Sequence, residues 1–193
     1  MNESVKMSRH DHPTAPGDLA LVHAFLNTTI AASARERFDT PDRMQDWLAK
    51  RSLMPSTAPI SPGEFETVLT LRNALRALLA SSDDQVRRKQ LDMINSIVER
   101  APLIVRFDDP GTPRLLPGQS GISGAIAQIL TAIIAGQADG AWSRMKLCRN
   151  PECQRVFYDT SKNHSAVWCS SRQCGNRMAA RAYRARQGAG TGQ

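Results

Sequence analysis

Apolar residues recur at helical spacing along most of this chain and switch to strand spacing only in short stretches, which predicts a mainly α protein. After a polar opening that contains Pro13 and Pro16, Asp18 stands ready to cap a first helix running through Ile30 and beyond. Pro41 suits the first turn of a second helix ending near Lys50, with Met44, Trp47 and Leu48 on its inner face. Ser61-Pro62-Gly63-Glu64 spells a capping box, and Val68, Leu71, Leu75, Leu78 and Leu79 then give the third helix one apolar face. On that helix Arg72 and Arg76 lie one turn apart and read as a solvated or salt-bridged face, with an anionic effector as the other reading. Gln85 to Arg100 predicts a fourth helix. Leu103 to Phe107 and Arg114 to Leu116 read as two strands around Asp108-Asp109-Pro110-Gly111, a hairpin signal. Ser120 to Ala135 predicts a fifth, buried helix whose glycines (Gly118, Gly121, Gly124) lack the Gly-Lys-Ser/Thr ending of a phosphate-binding loop. Gly136 to Gly140 closes the region.

The last quarter is different in kind. Its four cysteines, the only ones in the chain, fall as Cys148-x4-Cys153 and Cys169-x4-Cys174. Two tight pairs joined by a loop of this length bring four thiolates to one point and suit one tetrahedral zinc ion. An all-cysteine set leaves no open coordination position, so the expected metal is structural. Paired disulfides would need an oxidising compartment, and the polar opening carries no signal-peptide pattern. Release of zinc on oxidation stays open.

Charge is concentrated in the same place. Residues 144 to 186 carry ten basic side chains against Glu152 and Asp159, an excess of eight, while the whole chain carries +7. A nearly neutral body thus bears a compact basic end, the footprint of a polyanion-binding surface. After Cys174 the sequence turns to Ala and Arg, strong helix formers, with Arg177, Arg181 and Arg184 on one stripe. Met178, Ala182 and Ala185 form a neighbouring stripe able to pack on the finger or the body. Tyr183 is placed to pack its ring at the edge of these faces. Arg172, Lys162 and Arg155 extend the basic set. His164 lies in the loop between the cysteine pairs as a loop residue or phosphate contact, and Trp168 is a finger-core residue or a base-stacking platform.

Cys148-Arg-Asn-Pro-Glu-Cys153 with Cys169-Ser-Ser-Arg-Gln-Cys174-Gly175-Asn176-Arg177 resembles the CGNR zinc-finger family of bacterial proteins. Leu21 to Thr28 and Leu71 to Leu79 resemble helices of the ABATE domain, which precedes that finger and is described as a stress-induced transcription regulator. The resemblance implies a helical sensor-like or dimerising domain over 18–138 and a treble-clef-like finger over 144–187, between polar tails at 1–17 and 188–193. In such a finger, Met145 to Cys148 and Arg155 to Tyr158 form a hairpin, and the second cysteine pair opens a helix at Gly175. Asn176 then bonds a neighbouring turn, and Arg177 reaches phosphate or locks the finger to the body.

The chain is 41% hydrophobic but only 5% aromatic, so its core must be built mainly from aliphatic side chains. No apolar run approaches the roughly 20 residues that span a bilayer, which points to a cytoplasmic protein. Nothing in the helical region makes a case for an enzyme. His10-Asp11-His12 reads as polar tail, and His23 as a packed or surface residue. The resulting expectation is a DNA-binding regulator on duplex DNA, a homodimer with an unidentified small-molecule effector allowed. An RNA-binding or ribosome-associated protein and a protein–protein module are the alternatives.

Overall fold

The computed structural model describes residues 13–33 and 35–189. Among these residues six α-helices carry the fold: α1 (Leu19–Leu26), α2 (Pro41–Ala49), α3 (Pro62–Ala80), α4 (Asp84–Val98), α5 (Gly121–Ala138) and α6 (Asn176–Ala189). Three antiparallel strand pairs join them: β1 (Thr29–Ile30) with β2 (Arg35–Glu36), β3 (Leu103–Asp108) with β4 (Thr112–Pro117), and β5 (Met145–Leu147) with β6 (Val156–Tyr158). The fold is mainly α, with a body followed by a treble-clef-like finger. His10-Asp11-His12 and most of the two polar tails (1–12 and 190–193) lie outside the described residues. Pro13–Gly17, read as tail, lies among the described residues. Ala15 is buried and donates its N–H to His23 Nδ1 at 3.3 Å.

Local chemistry sets the helix starts. Thr40 Oγ1 accepts from Arg43 N–H ahead of Pro41, and the Ser61–Glu64 capping box closes in both directions. Asp83 caps α4 through Gln85 and Val86 N–H. The first helix is shorter than its apolar run suggests. Asp18 makes no side-chain cap, and α1 ends at Leu26 because Asn27 and Thr28 turn their side chains to other partners. The chain then forms β1 and a short 3₁₀ turn.

Leu19, Val22, Phe25 and Leu26 of α1 meet Val68, Leu71 and Leu75 of α3 and Ile122, Ile126 and Ile129 of α5 in one core. Phe25, Phe38 and Trp47 contact each other at its edge, the last two edge-on with centroids 5.4 Å apart. The α1–α5 approach depends on Gly136, where an added Cβ would lie 2.5 Å from Leu19 Cδ1. By length and composition α5 qualifies as a membrane-crossing helix, yet here its Ile122, Ile126, Ile129 and Ala132 face are core. That core does not stop at Gly140: Ala141 of the connecting turn and Met145 and Val156 of the finger belong to it. The finger is seated on α1 and α3.

Candidate metal centre and basic face

The β5–β6 hairpin sets the first two cysteines. Cys148 N–H donates to Arg155 O at 2.8 Å, and Asn150 O accepts from Cys153 and Gln154 N–H at 2.9 and 3.1 Å. The chain turns back so tightly that Gln154, not a glycine, sits at φ 48°. Its carbonyl is held by Arg76 Nη2 at 2.6 Å, a strong bond that supports an unfavoured backbone state. Of the second pair, Cys169 precedes and Cys174 lies within a wide turn, Ser171–Gly175, from which α6 continues. Ser170 Oγ caps it through Gln173 N–H, and Gly175 N–H donates to Ser170 O at 3.1 Å. Gly175 matters for close approach: a Cβ there would meet the Trp168 ring at 3.3 Å.

All four sulfurs lie within 4.8 Å of one another, with Cys153–Cys169 at 3.6 Å and Cys169–Cys174 at 3.7 Å. Those are the edges of a tetrahedron, since Zn–S bonds of about 2.3 Å place sulfurs about 3.8 Å apart. They are far longer than a disulfide bond, and none of the four cysteines is disulfide-linked. Hydrogen bonds from Cys153 and Cys169 hold the Cys148 thiol far below the ordinary thiol range, while the same crowding pushes Cys153 and Cys169 up. Without a cation the cluster shares protons; four thiolates need a divalent charge at their centre. Cys148, Cys153, Cys169 and Cys174 thus fit one structural zinc ion, which supplies cross-linking and no open coordination position. Buried Asn150 donates from Nδ2 to Cys174 Sγ at 3.5 Å, and its Oδ1 accepts from Glu152 N–H at 3.1 Å. Phe157, Ala166 and Trp168 complete a small apolar shell, so Trp168 serves as finger core.

The loop between the pairs hangs on a buried carboxylate. Asp159 accepts from Lys146 Nζ at 2.6 Å and from Ser161 and Ala166 N–H at 2.9 and 3.0 Å. Burial pushes its pKa up, but the ammonium and these donors outweigh it and hold the carboxyl well below the usual range. Lys146 also donates to the carbonyl of His164, another residue at φ 48°. Arg144 Nε donates to Asp159 O at 2.7 Å and its guanidinium lies 5.1 Å from the Tyr158 ring centroid. Two of the ten cations counted from sequence therefore build the finger. His164 is exposed and away from the sulfur cluster.

The finger is pinned to the body by polar side chains that sequence reasoning missed or misread. Asn27 donates from Nδ2 to Val156 O at 2.8 Å and accepts at Oδ1 from Val156 N–H at 2.9 Å, doing for β6 what a neighbouring strand would. His23 Nε2 contacts the same carbonyl at 2.9 Å. With Nδ1 accepting from Ala15, Nε2 carries the proton. Burial, reinforced by the nearby Arg155 cation, lowers the His23 pKa. Arg72 and Arg76 are buried rather than solvated, and the salt-bridged reading holds for Arg72. Arg72 grips Glu36 with two bonds of 2.7 and 2.9 Å and donates to Thr28 Oγ1. Arg76 donates to Leu26 O and Gln154 O, both at 2.6 Å. Burial lowers its pKa, and the field of Cys153 is among the influences opposing that.

The basic residues divide. Arg177, Arg181 and Arg184 are exposed on α6 and, with Asn150, Glu152 and Met178, line a groove of about 250 Å³ against the first cysteine turn. Arg181 pairs with Glu152 at 2.8 Å, an exposed contact of little energetic weight. Arg172 is exposed on the turn before α6, and Lys162 on the separate loop that Asp159 organises. Arg155 is half-buried on the side of the hairpin facing His23. The small-residue stripe does not pack as expected: Met178 is half-buried, but Ala182 and Ala185 are exposed, as is Tyr183 at 58%. The Tyr183 hydroxyl accepts from Gln187 Nε2 at 3.1 Å.

Two family models match the chain. One, described as CGNR zinc finger, covers residues 144–187 and all four cysteines. The other, ABATE, described as "Putative stress-induced transcription regulator", covers residues 17–138. No curated protein matches the chain.

Proposed function

We propose that this chain, which belongs to the ABATE family and carries a CGNR zinc finger, is a bacterial cytoplasmic regulator that binds duplex DNA through its finger. In this reading the division of labour follows the chain. Residues 18–138 form a sensing or dimerising body, residues 144–187 form the DNA-contacting module, and the protein is a binding protein rather than an enzyme. The observation that carries the reading is α6. It is a helix of 14 residues, none of 176–187 is buried, and Arg177, Arg181 and Arg184 stand on one exposed side. A helix this short gains little from propensity alone, so its face is available for a partner. Guanidinium forks match phosphate oxygens and the guanine edge.

Arg172, Lys162 and the half-buried Arg155 flank the contact as further cations. One finger reaches few base pairs, so two copies acting on paired half-sites give useful specificity. The body also offers an effector a place: a cleft of about 310 Å³ lined by Glu64, Thr67, Ile97, Arg100, Ile122 and Ile126, at the meeting of α3, α4 and α5. An apolar body with one anionic group suits its mixed lining. Regulation under stress follows, in this reading, from occupancy of that cleft or of the zinc site.

The test is to incubate zinc-loaded protein with sheared genomic DNA at near-physiological salt and sequence the retained fragments. Enrichment of a shared duplex motif is the expected result. Uniform or absent retention sinks the reading and transfers the basic face to RNA or an acidic protein.

A further inference from the structure

The four sulfurs of the metal centre are not equally shielded. Cys148, Cys153 and Cys174 are 2%, 6% and 4% exposed, whereas Cys169 is only partly buried. Cys169 also lines a cleft of about 210 Å³ that none of the other three lines. Its walls include Pro13 from the segment before α1, Thr160 from the loop that Asp159 organises, Trp168, and Ser170 and Ser171 at the start of the turn before α6. Three of these residues carry hydroxyls, so the cleft suits a small polar molecule. A zinc ion leaves this inequality unchanged, because it sits on the inner side of all four sulfurs. With zinc bound all four are thiolates, the form that oxidants attack, and which of them reacts first is then decided by access.

We propose that Cys169 is a modification site, the cysteine at which a small hydroperoxide enters this centre, oxidises it and releases its zinc. The Cys169 sulfur attacks one oxygen of the peroxide and the O–O bond breaks. The other oxygen leaves as hydroxide or alkoxide, and the sulfur becomes a sulfenic acid. Cys153 at 3.6 Å and Cys174 at 3.7 Å are near enough for one of these thiolates to attack that sulfur and expel its oxygen as hydroxide. One peroxide is reduced, two thiolates are oxidised to one disulfide, and two of the four ligands remain. A closed tetrahedral site needs all four, so the ion leaves. The signal has a route to the body, since Gln154, next to Cys153, carries the carbonyl that Arg76 holds. Stress regulation through the zinc site thereby gains a reactant, and the reaction depends on zinc at the four sulfurs, not on DNA.

The zinc-loaded full chain is treated with less than one equivalent of hydrogen peroxide in the presence of dimedone and a chromophoric zinc chelator. Its cysteines are then mapped by mass spectrometry against a peroxide-free control. Every early product should contain Cys169, as its dimedone adduct or joined to Cys153 or Cys174, with one zinc released per modified chain. Thr160→Trp narrows the cleft at an exposed position away from the ligands. It should keep zinc yet slow its release by peroxide at least about threefold. Dimedone adducts led by another cysteine overturn the proposal, as does a disulfide without Cys169, or zinc that stays bound while methionines are oxidised. So does a Thr160→Trp protein that holds zinc and loses it at the native rate. The mapping uses the native chain and decides the matter even where Thr160→Trp fails to load zinc. No DNA enters the assay, so resistance to peroxide leaves the DNA-binding reading standing, and a chain that binds no DNA leaves the oxidation standing.

Discussion

At the scale of single residues, the seam between body and finger is held by His23, Asn27 and Arg76, each aimed at the backbone of Gln154 or Val156. Such contacts matter because a buried carbonyl stripped of its donor costs about 1–3 kcal/mol. His23 adds pH dependence, and its sign follows from the lowered pKa. The fold favours neutral imidazole, so the unfolded chain binds more protons below the ordinary value of 6.5. The stabilisation is complete above about pH 6.5 and is lost as pH falls through the folded-state value. His23→Gln keeps a donor for Val156 O but cannot titrate. Melting both proteins at pH 7.5 and 5.5 should show the native chain losing more stability than the variant; acid release of zinc is common to both and cancels. Arg76 is the second residue-scale test. Arg76→Met leaves the Leu26 and Gln154 carbonyls unpaired and removes a cation from beside Cys153. Zinc transfer to a chromophoric chelator should become about 10–100-fold easier, as for other residues that support metal ligands. Arg76→Lys should fall between, since it keeps charge without the fork. Unchanged zinc retention in Arg76→Met would separate the arginine from the site.

At the scale of elements, α6 is expected to act as a detachable contact surface. Arg181→Ala with Arg184→Ala removes exposed side chains, one of them paired only to Glu152, so zinc content and melting should stay as they are. Nucleic-acid affinity should fall, and the slope of log affinity against log salt should shrink by about two, one per lost phosphate contact. An unchanged slope takes α6 off the contact surface. Elements of this kind were legible in the sequence wherever a local rule fixes them. The Ser61–Glu64 box, Pro41, the Asp108–Gly111 turn and the cysteine spacing each gave their structure because the deciding atoms lie within a few residues. Failures came where a distant partner decides. The apolar run of α1 continues past Leu26, but Asn27 is claimed by Val156, 129 positions away. Arg72 and Arg76 were legible in principle. Val68, Arg72, Leu75 and Leu79 lie on one helical stripe, with Arg76 a turn from Arg72, so both arginines fall inside the apolar face. What periodicity lacked was their partners, a carboxylate on β2 and two carbonyls, none of which sequence spacing reveals.

At the scale of the whole molecule, the finger and the body share material, and that changes what zinc does. A finger tethered by a linker would unfold alone when its metal is removed, leaving the body's helicity and stability untouched. Here Met145 and Val156 are packed in the body's own core, and His23, Asn27 and Arg76 bond backbone groups of Val156 and Gln154 that the cysteine turns hold in place. Zinc binding and folding are coupled in units this small, so a chelator or Cys174→Ser collapses the geometry of residues 145–175. The body then loses apolar cover over α1 and α3 and retains a buried cation, Arg76, with one of its two carbonyl partners gone. Helix content over 18–138 should largely persist, because α2, α3 and α4 have their own side-chain caps and pack together with α5 in one core. Its stability should not. A loss of about 2 kcal/mol corresponds to roughly 4–8 °C in a chain of this size. Calorimetry with and without a zinc chelator distinguishes the two architectures. One cooperative transition that moves down on zinc removal is the outcome for a fused molecule. Two transitions, with the body's midpoint fixed while the finger's disappears, would mean that the contacts at His23, Asn27 and Arg76 carry no coupling, and that zinc status cannot reach the helical region through them.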